Sequence, residues 1–586
     1  QAALRDSSTV QLRRSLAGDL DNIVGRALRK LPTERYPTVA ALADDLTRYR
    51  MHQPVQARPD SLRYRARKFI RRNRVAVAAG IVTSAAIAAG LVGTGWMATQ
   101  ARSAAQRAAE QRDLALDKVA QAQDVGQLVN LITTAMPASG QFTRDALLAR
   151  SVQAIAQRSD LSDARRATML LALSQAANLG GDLGLAVRLA GQAHALTRNA
   201  ADVAARAQAA CQLASLLSQQ EDAAQAQVLI TTSLRELGPA PRHVPARIHC
   251  LLYAADGDLE QGQHPSALAH AEAALALLPQ LELADLAMER ATWSRVAQAR
   301  RATGQLASAL AAYAHLAALD TRLGPQSTVV ESTRLQHWAS VLHAAGRPLE
   351  ARDKLQQALR LYDNNALAPP GLLAGLARAQ LQLGLRAEAL ATAQQAQARS
   401  LAVNNLSQSY VAQWTQVVAL HQLGRDAESQ ALLAPLEREL RSRLPANHYV
   451  FSLMLGLRGL MASEPAQAQT LLDQAVAHQQ GQTSEALALA LLRRGEFALG
   501  QHSLAAARAD AQQARSLLLQ MLGPSLASLH LGDALLLLAR VNRAEGSAGQ
   551  AAVYYRSAAQ QYQSALGTTH EKTRAALRAA AELEGP

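Results

Sequence analysis

The sequence of 586 residues contains little cysteine and few aromatic side chains. Its two cysteines, Cys211 and Cys250, exclude a framework of several disulfides and a CxxC metal site. Whether the two pair is open from the sequence, which cannot place their Cβ atoms within about 4 Å of each other. Aromatic residues make up 3% of the chain and hydrophobic residues 49%, so the core is built largely from Ala and Leu. Such a composition favours closely packed helices, and we predict an all-α fold.

The sequence also lacks the motifs of enzymes and metal sites. The 15 histidines are scattered, and neither HExxH nor a paired His and carboxylate spacing occurs. The Gly-rich loop, strand lysine, HRD and DFG motifs of protein kinases are absent. The glycines between Gly90 and Gly95 follow no strand and therefore do not form a phosphate loop. We predict no catalytic, cofactor-binding or metal-binding residue in this chain.

Acidic residues are outnumbered by basic ones, which gives a formal net charge of +14. A nucleic-acid-binding surface would interleave this charge with aromatic residues or carry a recognition motif, and neither is present. We therefore predict no nucleic-acid partner. The densest basic cluster instead directly precedes a long apolar run. We predict that its seven residues contact anionic lipid headgroups: Arg63, Arg65, Arg67, Lys68, Arg71, Arg72 and Arg74.

That apolar run, from Val75 to Thr99, has no charged residue. At about 1.5 Å per residue it is long enough to cross a bilayer as one helix, with the basic flank on the cytoplasmic side. The run is rich in Ala and Gly, so a buried helix of a soluble protein is the alternative. The spacing of Ala86 and Gly90 permits close helix contact and hence a homodimer.

Beyond the run, we predict a helical stalk over residues 100–160, with an imperfect apolar stripe of Leu114, Val125, Leu128 and Ile132. From residue 161 to 586 the chain repeats itself at intervals near 40 residues. Six glycines are predicted to cap the first helix of successive helical hairpins: Gly304, Gly346, Gly384, Gly424, Gly500 and Gly546. A small residue stands five positions after several of them: Ala309, Ala351, Ala389 and Ala551.

This pattern resembles the tetratricopeptide repeat. The joins that begin at Leu237, Leu323, Leu522 and Leu566 resemble those of kinesin-light-chain-type repeats. The resemblance implies about ten hairpins stacked as an α-solenoid, whose concave groove binds protein or peptide partners. The groove candidates are Arg295, Arg300, Gln336 and Trp338, with a solvated helix face as the alternative. His448 and His570 stand at joins, where we expect local packing.

Residues 1–57 carry a second resemblance. The stretches 18–24, 27–36, 42–46 and 54–55 look like the last helices of a bacterial serine/threonine protein kinase domain. The resemblance implies structural roles for Asp19 and Arg35, the latter pairing with the glutamate of an Ala-Pro-Glu motif. Leu31 departs from the family, which usually has Asp before Pro32. ATP and Mg²⁺ are expected only if a complete kinase domain precedes Gln1.

Five segments follow: a kinase-domain remnant (1–57), a basic juxtamembrane segment (58–74), a transmembrane helix (75–99), a stalk (100–160) and the repeats (161–586). We expect a single-pass protein of a bacterial inner (plasma) membrane, with its N-terminal part in the cytoplasm and its repeats in the periplasm or another extracytoplasmic space. The leading hypothesis is the sensor part of a receptor-like kinase, regulated by partners of the repeats and inactive without the upstream motifs. A membrane-tethered repeat scaffold and a soluble adaptor are the alternatives.

Overall fold

The computed structural model describes residues 8–134, 144–158, 161–179, 182–220, 222–362, 368–403 and 405–584. Within these ranges all regular structure is helical, as the composition predicted. Contacts divide the chain into two compact units, Gln1–Ala120 and Gln121–Pro586, and each is described by itself.

The first unit contains short helices followed by the start of a long one. They are α1 (Thr9–Leu16), α2 (Asp19–Ala27), α3 (Val39–Arg50), α4 (Leu62–Arg72) and α5 (Arg74–Thr134). Thr38 caps α3, its hydroxyl accepting from the backbone N–H of Ala41 at 3.2 Å. Helix α2 ends at Ala27, and Pro32 begins a short 3₁₀ turn.

Helix α5 contains the apolar run. Its stretch from Arg74 to Gln106 has a mean hydropathy of 2.2, and none of its most apolar window is buried against other described residues. It is the one helix in the described part of the chain that is long and apolar enough to cross a membrane. The helix continues to Thr134, over most of the predicted stalk. The side chains of the predicted stripe, Leu114, Val125, Leu128 and Ile132, lie outside the described residues, as does the end of the stalk at 135–143.

The second unit is an α-solenoid of tetratricopeptide-like helical hairpins. Helix α6 (Arg144–Gln157) precedes ten antiparallel pairs, and α27 (Glu571–Glu584) follows them. The first helices of the pairs are α7 (Asp163–Leu179), α9 (Val203–Gln219), α11 (Val244–Glu260), α13 (Leu286–Ala302), α15 (Thr328–Ala344), α17 (Pro370–Gln382), α19 (Leu406–Gln422), α21 (Tyr449–Met461), α23 (Glu485–Gly500) and α25 (Leu529–Ala544). The second helices are α8 (Leu183–Thr197), α10 (Ala223–Leu237), α12 (His264–Leu277), α14 (Leu306–Leu323), α16 (Pro348–Arg360), α18 (Arg386–Ala402), α20 (Asp426–Arg443), α22 (Pro465–Ala477), α24 (Leu504–Leu522) and α26 (Ala548–Leu566).

The turns within the hairpins explain the glycine pattern. Five of the six glycines have a left-handed backbone, with φ between +68° and +79°: Gly304, Gly346, Gly384, Gly424 and Gly546. The assignment of Gly500 to such a turn is wrong, because α23 includes this glycine as its last residue. His502 adopts the positive φ there, at +58°, while Gly262 takes this position between α11 and α12. The alanines after the glycines are buried where the paired helices meet.

Cys211 on α9 and Cys250 on α11 form a disulfide, with a Cα–Cα distance of 5.2 Å. The bond joins the first helices of two neighbouring hairpins. The sequence left open whether the two cysteines pair. They do so because their spacing of 39 residues equals one repeat, which puts them on adjacent helix faces.

The later hairpins also contact hairpins that are not their neighbours in the stack. The end of α15 meets the start of α25, where the N–H of Leu529 donates to the carbonyl of Gly346 at 2.8 Å. The end of α17 meets the start of α27, where the His570 ring lies 3.2 Å from the carbonyl oxygen of Leu383, 187 residues away. Gly304 at the end of α13 likewise adjoins Thr483 before α23. Each contact spans five hairpins, so one turn of the solenoid closes onto the next.

Candidate ligand-binding cavity

Closure of the solenoid encloses a cavity of about 1270 Å³. The ends of α13, α15 and α17 and a side of α19 form one wall, and α21 together with the beginnings of α23, α25 and α27 forms the other. Small-molecule pockets usually measure roughly 300–1,000 Å³, so this cavity has room for a larger ligand. Within the described residues it is the large concave site of the repeat unit.

Three arginines on different helices give the cavity its charge: Arg301 on α13, Arg378 on α17 and Arg493 on α23. In the part of the chain that the structure describes, none of them forms an ion pair with a carboxylate. Arg493 donates from Nη1 to the carbonyl of Leu453 at 3.1 Å, and burial lowers its pKa to about 10. It therefore stays charged at neutral pH without a counter-charge from the protein.

Two of the histidines around the cavity, His343 and His264, do not add to this charge at pH 7. Burial, reinforced by Arg378, His530 and Arg301, lowers the pKa of His343 well below its usual value. Burial and then Arg301 also lower the pKa of His264. Burial is the larger cause of both shifts, and the nearby guanidinium groups add to it because they disfavour a second positive charge.

The carboxylates on the wall leave this charge only partly balanced. Asp533 pairs with Lys572 at 2.6 Å, and Glu485 lies 3.5 Å from the His530 ring. Counting the lining residues, five cationic side chains face three carboxylates: Arg301, Arg378, Arg386, Arg493 and Lys572 against Glu485, Asp533 and Glu571. The wall therefore carries a formal charge of +2 with the histidines neutral.

Between the charged groups the wall is apolar. Trp414 and Val418 come from α19, Leu381 from α17, Leu453 from α21 and Met521 from α24. A surface that combines apolar contacts with a few charged groups suits a ligand with both kinds of side chain.

The four groove residues predicted from the sequence do not line this cavity. Arg295 pairs with Asp256, and Arg300 binds Glu272 at 3.2 Å, each contact joining neighbouring hairpins. The Trp338 ring stacks beside Tyr313 with centroids 6.1 Å apart. Gln336 adjoins Gly371 on α17, the first helix of the following hairpin. These side chains make contacts between neighbouring repeats, and none of the four candidates lines this cavity.

The two histidines at repeat joins have unequal roles. The His448 ring accepts from the N–H of Val450 at 3.3 Å, which caps α21 locally as expected. His570 contacts Leu383 in another turn of the solenoid and lines the cavity, so its expected local role is too narrow.

In the first unit, Asp19 is buried and binds Lys68 at 2.6 Å and Arg58 at 3.2 Å. Burial acts to raise the pKa of Asp19, but hydrogen bonds from Lys68, Tyr64 and Arg58 outweigh it and hold that pKa below its usual value. Arg35 is exposed and donates to the carbonyl oxygens of Arg29 at 2.6 Å and Lys30 at 3.4 Å.

The basic cluster on α4 and at the start of α5 is consequently not uniform. Lys68 is largely buried by its contact with Asp19, and a lipid contact of this residue is no longer expected. Arg65 pairs with Asp60. The remaining five side chains are exposed: Arg63, Arg67, Arg71, Arg72 and Arg74.

No protein-family model matches the chain, and no curated protein matches it. Solved structures do show similarity. A putative kinesin light chain of Podosopora anserina with TPR-like repeats is 19% identical over 35% of this chain and 99% of its own, with a TM-score of 0.27. NprR in complex with its cognate peptide NprX is 13% identical over 55% of this chain and 98% of its own, with a TM-score of 0.38. A Rap protein complexed with competence and sporulation factor is 10% identical over 64% and 97%, with a TM-score of 0.36. Likeness at this level carries no inference about what this chain binds.

Proposed function

We propose that this chain is the sensor part of a membrane-anchored serine/threonine protein kinase, whose repeats bind a protein or peptide partner outside the cytoplasm. The observation that carries the binding role is the arginine-lined cavity of about 1270 Å³ inside the repeat unit. Concave surfaces of helical solenoids are suited to extended ligands.

The exposed apolar surface of α5 supports membrane anchoring over a buried soluble helix. Val75 is 85% exposed, Leu91 68% and Trp96 65%. Leaving so many apolar side chains in water is unfavourable at about 25 cal/mol per Å², and a bilayer removes this cost. The exposed arginines of α4 precede this stretch and favour the cytoplasm for the first unit.

The disulfide supports the opposite compartment for the repeats. Cys211 and Cys250 are both buried in the contact between α9 and α11. Disulfides persist in oxidising compartments and are rare in the cytoplasm. A periplasmic location of the repeat unit is consistent with this bond.

The kinase part of the proposal is supported by the resemblance of residues 1–57 and by exposed apolar side chains there. Val24, Leu28, Leu31 and Val39 on or beside α2 and α3 are between 49% and 84% exposed. Such a surface is expected where more protein packs against these helices. A coding sequence upstream of Gln1 with Gly-rich loop, HRD and DFG motifs supports the kinase. An immediate start codon instead favours the alternative, a membrane-tethered repeat scaffold without catalysis.

Topology is tested with the full chain carrying an N-terminal epitope and expressed in a Gram-negative host. Protease added to spheroplasts should digest the repeats and leave an N-terminal fragment that ends near α5. Gly90→Arg should shift the protein out of the membrane fraction, since a central arginine costs roughly 3 kcal/mol on insertion. Gly549→Arg, on an exposed part of α26, is the matched control and should fractionate normally. Protection of the repeats in spheroplasts, or unchanged fractionation of Gly90→Arg, contradicts the proposed anchoring.

A further inference from the structure

The arginines of the repeat unit fall into two groups, those with a carboxylate partner and those without one. Most that face another helix have a carboxylate partner, as Arg290 and Arg334 do with Asp320 at 2.6 Å. Neighbours on α23 make the contrast sharpest. Arg494 binds Asp510 at 2.7 Å and Asp473 at 3.0 Å, whereas Arg493 faces the cavity and meets a single backbone carbonyl.

We propose that the cavity binds an acidic peptide segment, whose carboxylates contact the guanidinium groups of Arg301, Arg378 and Arg493. The inference rests on the proposed function, in which the repeats bind a protein or peptide, and it specifies the chemistry of that partner. A guanidinium group offers two parallel N–H donors that match a carboxylate, so each arginine can hold one acidic group.

The energetic basis is the burial of positive charge. Removing a cation from water is costly unless an opposite charge accompanies it, and repulsion among like charges adds to that cost. Three arginines from α13, α17 and α23 surround one space without a carboxylate for each. Two of the nearby histidines also have lowered pKa values, mainly because they are buried. An anionic ligand would supply negative charge beside the three arginines.

The size and lining of the cavity favour a peptide over a small anion. A single phosphate or carboxylate would fill a small part of 1270 Å³ and could not contact arginines on three helices together with the apolar wall. Apolar side chains of a peptide can pack on Trp414, Val418 and Met521 while its acidic residues face the arginines. The polar N-terminal turns of α23 and α25, capped by Ser484 and Ser528, border the same space and favour negative charge.

The test uses the full chain in lipid nanodiscs and a random twelve-residue peptide library displayed on phage. We expect the selected peptides to be enriched in Asp and Glu relative to the library. A selected peptide, made with a fluorescent label, should bind Arg493→Gln and Arg378→Gln about tenfold more weakly, because each variant loses a charge-assisted hydrogen bond. Arg493→Lys should recover part of the loss. Arg515→Gln, an exposed arginine of α24 outside the cavity, is the matched control and should bind normally.

The outcomes separate the inference from the proposed function. Selected peptides without acidic enrichment, bound equally by the arginine variants, overturn the acidic ligand and leave peptide binding intact. An equal loss in Arg515→Gln indicates attraction by overall charge and overturns the site. Displacement by pyrophosphate at the same concentration as by peptide identifies a small anion as the ligand and overturns the peptide. Failure to select any peptide counts against the proposed function itself.

Discussion

The first three hairpins and the later seven use the same repeat but are held together differently. In α7–α12 the buried side chains form several separate clusters, each shared by adjacent helices, and a disulfide joins α9 to α11. In α13–α27 a large hydrophobic core draws side chains from α13–α17 and from α22–α27, with smaller clusters beside it, including one shared by α19–α21. The second arrangement exists because one turn of the solenoid packs on the next.

This difference shows which kind of contact between repeats forms a binding site. Stability in a solenoid is largely a sum over repeats and their interfaces, and the early hairpins follow that rule with a covalent bond added. Contacts between turns place helix ends from distant repeats around one space. The arginine-lined cavity is found only among the described hairpins that close in this way.

The largest expected effect comes from a glycine at the closure. Gly346 has φ of +68°, and a Cβ there would lie 2.5 Å from the Ser528 hydroxyl oxygen across the turn. Gly346→Ala should destabilise the protein by about 2–5 kcal/mol, because the left-handed backbone and the overpacking both cost free energy. Urea unfolding of the purified chain measures the loss.

Gly262 is the matched control in the early hairpins. Its φ of +71° is nearly the same, and a Cβ there would meet nothing within 4 Å. Gly262→Ala should therefore cost about 1–2 kcal/mol, from the backbone alone. Equal losses for the two variants would show that the closure contributes no steric constraint.

An effect of similar or smaller size is expected from removal of the disulfide. Replacing Cys211 and Cys250 together by Ala should destabilise the early hairpins by about 2–4 kcal/mol, since the bond restricts the unfolded chain. Hydrogen exchange should accelerate in α9–α12 and stay unchanged in α23–α26. Uniform acceleration along the repeat unit would contradict the separation of the two regions.

The smallest expected effect is on the pH dependence of stability, through a histidine in the later hairpins. Burial, followed by the nearby Arg301 and Arg295, lowers the pKa of His337 on α15 to about 4. The unfolded chain, with a histidine pKa near 6.5, binds this proton more readily, so the stability contribution is complete above about pH 6.5 and is lost as pH falls toward 4. His337→Gln should reduce the drop in melting temperature between pH 7 and pH 5 by roughly 1–2 °C. An unchanged drop would exclude His337 as a source of acid sensitivity.

Local features of the fold could be predicted from the sequence because they depend on residues close together in the chain. The cap at Thr38, the left-handed turn at Gly346 and the burial of Ala351 follow from single positions and their spacing. The prediction for Gly500 failed because α23 includes this glycine as its last residue, and His502 adopts the left-handed backbone of the turn instead.

The cavity could not be predicted, because it depends on how five hairpins accumulate their rotations. Arg295 and Trp338 have the helical positions expected of groove residues, yet they pack between neighbours. One signal was present in the repeat register: Arg301 and His343 both stand three residues before a turn glycine, at the ends of first helices. Once the contacts between turns of the solenoid are known, polar residues at this position of the first helices identify the wall of the cavity.

The closure also bears on how this protein can change in length. Open solenoids gain or lose whole repeats with little disturbance, since a duplicated hairpin simply extends the stack. Here α13, α15 and α17 meet α23, α25 and α27, each pair separated by the same five hairpins. One hairpin inserted between them would put the wrong helix opposite Gly346 and move Arg493 away from Arg301. The number of repeats in this stretch is therefore fixed by geometry, and duplication can add new ones only before α13 or after α27.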